Sequence, residues 1–223
     1  MKKTRFLFGL LLLALCFSGF LGCAKDEDDS GGLANLMFIH AYTSGKNATV
    51  LVNDSLMLPL TAGFGNFTLY QSLASGNSSF KIRDNTLDSI IASNSFNLKK
   101  NSNNTLMLTN KDAGSELLLV SDDLELADTS KSYLRLINLV PNGNNMSLNI
   151  TSGATVASGV AFKAVSTFNP ISPGKTDFTI VAGATVVSNI TNFNLLPGKK
   201  YSILMTGLVG QTPKASHNII VNK

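Results

Sequence analysis

Few residues in this chain could transfer a proton or hold a metal. It has two histidines, His40 and His217, two cysteines and 14 carboxylates in 223 residues. The histidines are far apart, and a zinc site needs three or four converging ligands. No His-Glu-x-x-His helix, Gly-x-Ser-x-Gly elbow or phosphate loop is present. The stretch "GFGNF" (63–67) has the glycines of a phosphate cradle without its spacing. Asp26, Asp28 and Gly31 fall on calcium-loop spacing, but the twelfth position is Met37 where the loop requires Glu. Asp122, Asp123, Glu125 and Asp128 could meet a calcium ion. Nothing fixes their spacing, and a solvated linker is the expected reading. His40 ends an apolar run, where its ring is expected to hydrogen-bond the following turn. No catalytic residue, metal or cofactor is expected, and the chain is not read as an enzyme.

The cysteines point to location rather than chemistry. Lys2, Lys3 and Arg5 precede the uncharged stretch "FLFGLLLLALCFSGFLG", which ends at Cys23. Its strongly apolar part, Phe6 to Phe17, is shorter than the roughly 20 residues a membrane-spanning helix needs, and its basic start is that of a secretory signal. "FLGC" resembles the bacterial lipobox, which implies cleavage after residue 22 and acylation of Cys23. The following Lys25, Asp26, Glu27, Asp28 and Asp29 resemble the export signal of Bacteroidetes surface lipoproteins. That resemblance implies an outer-membrane, lipid-anchored protein facing the exterior. The acids would also repel one another and extend the tether. Removing residues 1–22 leaves 15 bases against 14 acids, a net charge of +1, so no nucleic-acid partner follows from the basic pI of about 9.1. The mature chain would hold no disulfide.

The elements that must position any site repeat themselves. Residues 35–53 align with 133–151, and 64–84 with 162–182, both at an offset of 98; 96–110 align with 193–207 at 97. This predicts a duplicated unit of about 95 residues. Within it, "ATVLVN", "SFKIRD", "TLMLTN", "DFTIVA" and "YSILMTG" read as short strands, separated by Gly, Asn, Ser and Pro clusters. The expected organisation is a signal over 1–22, lipidated Cys23 and acidic tether to 33, a β-sandwich over 34–121, a linker over 122–131 and a second sandwich over 132–223. Leu36, Phe38, Val50, Phe67, Phe80 and Ile82 are expected in the first core. Leu134, Leu136, Leu148, Phe168, Phe178 and Ile180 are expected in the second.

"YLRLINLVPNGNNMSLNI" and "LLPGKKYSILMTG" resemble the DUF4397 family, whose domains open on a strand with an H/N-x-x-P turn and close on a Gly-x-x-Tyr strand. The first unit shares the opening at His40, but Thr43 stands for the proline and Asn104 for the tyrosine. The resemblance implies an all-β fold of two tandem immunoglobulin-like antiparallel sandwiches, often found on exported bacterial proteins.

The function expected is a non-catalytic binding, adhesion or envelope-structural module, its partners being the membrane through the anchor and a glycan or envelope protein. The alternative is a glycan-binding accessory lipoprotein of polysaccharide uptake. Sugars stack on exposed amphipathic rings. The chain has no Trp, which leaves Tyr42 and Tyr70 as candidate contacts. "DSL" and "DSI" resemble Asp-Ser-aliphatic O-glycosylation sites, which would modify Ser55 and Ser89.

Overall fold

The computed structural model describes residues 31–223. Cys23, Lys25, Asp26, Glu27, Asp28 and Asp29 lie outside the described residues, as does the signal. The first unit forms β1 (Leu33–His40), β2 (Asn47–Val52), β3 (Ser55–Gly63), β4 (Gln71–Ala74), β5 (Gly76–Asp84), β6 (Ser89–Leu98), β7 (Asn103–Asn110) and β8 (Ser115–Asp122). The second forms β9 (Ser132–Asn138), β10 (Met146–Ile150), β11 (Thr155–Val160), β12 (Asn169–Ile171), β13 (Gly174–Ala182), β14 (Thr185–Leu195), β15 (Lys200–Thr206) and β16 (Ser216–Val221).

These strands make four four-stranded sheets. The order β3-β2-β5-β6 faces β4-β1-β7-β8, and β11-β10-β13-β14 faces β12-β9-β15-β16. The result is two tandem β-sandwiches of mainly antiparallel pairing. Each contains one parallel pair, β1 with β7 and β9 with β15, because the intervening strands cross to the other sheet and back. Leu36, Phe38, Val50, Phe80 and Ile82 fill the first core, and Leu134, Leu136, Leu148, Phe178 and Ile180 the second, all 0% exposed.

A third apolar layer joins the sandwiches. Side chains alternate along a strand, so Met37 and Ile39 leave β1 on the face opposite Leu36 and Phe38. They meet Ile137, Leu204 and Ile220 from the second sandwich. The layers therefore stack sheet on sheet four deep, and β9 and β15 are buried at every position. Strands covered on both faces read as continuous apolar runs rather than alternating ones. "LMFIHA", "YLRLIN" and "YSILMT" are such runs. Repeat-mates contribute to this layer in pairs: Ile39 and Ile137, Ala41 and Leu139, Met107 and Leu204, and Phe67 and Val165. The arrangement approximates the self-complementary contact of a twofold dimer.

Three expectations need correction. β8 runs on through Asp122, placed in an exposed linker by its charge; it is buried, 4% exposed. Phe67 packs in the joining layer and not in the first core. Phe168, expected in the second core, is half-buried at the junction, with cationic side chains over its ring. All three residues lie where the two sandwiches meet, a contact that the pattern within one repeat does not reveal.

Candidate functional site: a charged groove between the sandwiches

At one edge of the joining layer the apolar pairing gives way to charge. Where β1 places Met37, β9 places Arg135, and the neighbouring β15 starts with Lys200. Their side chains are each 3% exposed. A buried charge is tolerated only when it is paired and hydrogen-bonded. Arg135 Nη2 lies 2.7 Å from Asp122 Oδ1, an atom delivered by the last residue of β8. Neither atom has a hydrogen-bond partner outside this ion pair among the described residues. Arg135 Nε donates to Ser202 Oγ (2.7 Å), and Ser202 Oγ donates to Asn222 Oδ1 (2.6 Å). Asn222 Nδ2 donates to Tyr70 Oη (3.4 Å), which donates to Asp122 Oδ2 (2.7 Å). The bonds close a ring through both sandwiches, and Thr105 Oγ1 adds another to Asp122 Oδ2 (2.6 Å).

Asp123, the first residue after β8, is exposed where Asp122 is buried. Its side chain is 80% exposed, 3.8 Å from Lys200 Nζ, and its backbone oxygen accepts from that ammonium at 2.7 Å. Lys200 Nζ sits 4.8 Å from the Phe168 ring centre and 5.4 Å from that of Tyr133, and the Arg135 guanidinium sits 4.4 Å over Phe168. Burial holds the Lys200 ammonium below its usual pKa, and the Asp123 charge opposes that fall. Burial raises the Tyr70 phenol, as do the charge and hydrogen bond of Asp122.

A groove of about 410 Å³ is lined by Asp123, Glu125, Arg135, Ser166, Thr167 and Phe168. Tyr133 and Lys200 lie within it. The size is that of a small-molecule site, and the lining mixes ring surface with polar groups able to fix an orientation. Arg135 belongs to both the groove lining and the closed hydrogen-bond ring, which anchors that side chain to both sandwiches.

The residues singled out from sequence are dispersed. Tyr70 is half-buried in the joining layer with its hydroxyl committed to Asp122, while Tyr42 is half-buried against the first core. Ser55 is exposed directly after the Asn53–Asp54 hairpin turn, whose positive φ values of 48° and 64° suit the tight reversal. Ser89 is exposed after Asp88, another positive-φ residue. Asp54 pairs with Lys81 at 2.6 Å, and Asp88 accepts from Arg83 Nε at 2.6 Å. Asp128 does not turn towards Asp122; its carboxylate accepts from Ser130 N and Oγ, which hold it below the usual range. Among the described residues no three His, Cys, Asp or Glu side chains are placed to hold a metal ion.

His217 Nδ1 lies 2.7 Å from Ser188 Oγ, linking β16 to β14. His40 does not bond its turn. It is 0% exposed, and neither ring nitrogen has a partner among the described residues. Its repeat-mate Asn138 does make such bonds, accepting from Val140 N and donating to the Val160 and Asn144 carbonyls. Arg135, Phe168 and Lys200 were missed as site residues. The available signal was one cation inside an otherwise apolar strand, "YLRLIN".

Fold and groove define a tandem all-β protein whose polar centre lies between its units. The chain belongs to the family described as a domain of unknown function, DUF4397, whose model matches residues 34–149 and again 132–219. No curated protein sequence matches it. Among solved structures it is similar to the C-terminal domain of AlgF from P. aeruginosa, with 20% identity over 41% of this chain and 98% of that one, at a TM-score of 0.34. A candidate cell adhesion protein from Parabacteroides distasonis matches with 10% identity over 85% and 98%, at 0.25. A family CBM26 module from Eubacterium rectale Amy13K, solved with maltoheptaose, matches with 10% identity over 83% and 96%, at 0.23.

Proposed function

We propose that this protein is a non-catalytic binding or adhesion module of the bacterial cell envelope, anchored by lipid on Cys23 and displayed outward on the tether that begins at Ala24. Its units divide close to the expected 34–121 and 132–223, with Asp122 closing β8 of the first, and its ligand sits in the groove between them. The observation that carries the binding reading is the groove itself, about 410 Å³ with a floor tied into both sandwiches. A site with anchored side chains loses less ordering entropy on binding. The two cations on its floor are already engaged, Arg135 by Asp122 and Lys200 by Asp123, which favours holding a ligand over reacting with it.

The glycan reading is favoured by one feature: the half-exposed Phe168 ring lines the same groove as Thr167, Asp123 and Glu125. A ring face next to hydroxyl and carboxylate acceptors suits a neutral sugar. Ser55 and Ser89, exposed on their hairpin turns, are proposed as O-glycan acceptors rather than ligand contacts.

Two measurements test this. Protease shaving of intact cells should remove the protein, and a Cys23→Ala variant should leave the membrane fraction; wild-type protein resistant to shaving would overturn outward display. A glycan array probed with wild type and Phe168→Ala should show binding lost in the variant. Equal binding by both would remove the groove as the sugar site.

A further inference from the structure

The orphaned imidazole of His40 is the one histidine ring sealed completely inside the described structure. Nearly all buried polar atoms in folded proteins have a partner, so an exception calls for a reason. The ring lies 6.2 Å from Phe64 at an interplanar angle of 88° and 6.4 Å from Phe38. The Tyr42–Lys46 turn closes over it: a Cβ added to Gly45 would stand 3.0 Å from both Cε1 and Nε2. The internal repeat supplies the comparison. In the second sandwich Asn138 holds the matching corner with three side-chain hydrogen bonds, whereas His40 contributes only packing.

We propose that His40 is an acid-sensitive latch: neutral, it holds the Tyr42–Lys46 corner shut, and on taking a proton from solvent it leaves its apolar pocket and the corner opens. The charged group facing the ring is Asp84, at the end of β5, which favours the imidazolium but is outweighed by burial. Lys46, in the turn itself, is exposed. Asp84 Oδ1 accepts from the Thr86 and Leu87 amides, and neither ring nitrogen of His40 bonds to Asp84, so the ring has no hydrogen-bonded partner where it now lies. Burial holds the ring's pKa at about 4 instead of 6.5. Between those values the open form binds the proton and the closed form does not, so the open fraction grows by up to about tenfold per pH unit.

Native-state hydrogen exchange on the full mature chain, corrected for intrinsic rates, tests this between pH 7 and pH 4. The reporters are the Gly45, Phe64 and Gly65 amides, bonded to the Tyr42, Lys46 and His40 carbonyls. The Gly143 and Lys163 amides, bonded at the matching corner to Val140 and Asn138, are controls in the same molecule. Opening of the first corner should rise steeply with acid while the second stays flat, and His40→Asn should make both flat. If that variant does not fold, the wild-type imidazole Cε1 proton signal decides. Titration near 6.5 with the amides still protected would overturn the latch, as would equal acid response at both corners.

Discussion

Asp122 and Arg135 meet at 2.7 Å inside the molecule, one from the last residue of β8 and the other from the middle of β9. The rest of the ring, through Ser202, Asn222 and Tyr70, links the two residues a second time, so the contact ties the sandwiches together at the edge of their apolar layer.

Breaking the pair from one side should cost far more than replacing both partners. Asp122→Ala leaves a buried guanidinium uncompensated and is expected to lose about 3–5 kcal/mol in urea unfolding. Asp122→Leu combined with Arg135→Met, the residue that Met37 supplies in the first repeat, should recover most of that loss. A double variant no better than the single one would show that the pair does more than satisfy itself.

Acid should weaken the fold through His40. Its folded pKa, about 4, lies below the ordinary 6.5, so the unfolded chain binds the proton first. Stability is undiminished above pH 6.5, falls between 6.5 and 4, and changes no further below that from this group. The loss reaches about 3 kcal/mol, at 1.36 kcal/mol per unit. Burial lowers His217 too, so a His217→Asn background isolates the effect in chemical denaturation at several pH values.

Gly207 should tolerate no side chain. Its φ is +93°, and a Cβ would stand 2.5 Å from the Lys214 carbonyl oxygen, which is backbone and cannot swing away. Gly207→Ala is expected to cost more than about 3 kcal/mol, beyond the strain of positive φ alone. Gly183, with φ +60° and open space around it, should lose only about 1–2 kcal/mol on the same change. Thermal melts of the two variants make the comparison.

Phe168→Ala removes the ring beneath Arg135 and Lys200. Stability should fall by about 0.5–2 kcal/mol at neutral pH, the range for cation–ring contacts. The same change in an Arg135→Met background should cost less, which a double-mutant cycle measures.

Much of this architecture could be read from residue order. The duplication is visible because Phe80 with Phe178 and Ile82 with Ile180 occupy equivalent core positions at a fixed offset. Alternation identified those inward faces. For β1, β7, β9 and β15 it found the core face but not the second buried face, because both faces are covered and no polar side remains to mark the outside. Met37 and Ile39 therefore carry no sequence mark of the second layer that they form. Asp122 was read as solvated because a carboxylate normally is, and its partner comes from the other repeat. The groove was illegible for the same reason: Arg135, Phe168 and Lys200 are far apart in the chain and converge only once the sheets stack. His40 was expected to do what Asn138 does, since both can bond a turn. A ring reaches farther from the backbone than an amide, and it points into the core.

The central position of β1 bears on mechanical resistance. It lies between β4 and β7, with apolar layers above and below. Any pull transmitted along the tether arrives at Leu33, the first residue of that strand. To yield, β1 must slide past six register partners on β7 and four on β4 at once, instead of unzipping them one by one. Under the proposed anchoring, force entering ahead of β1 would load both of its neighbours together.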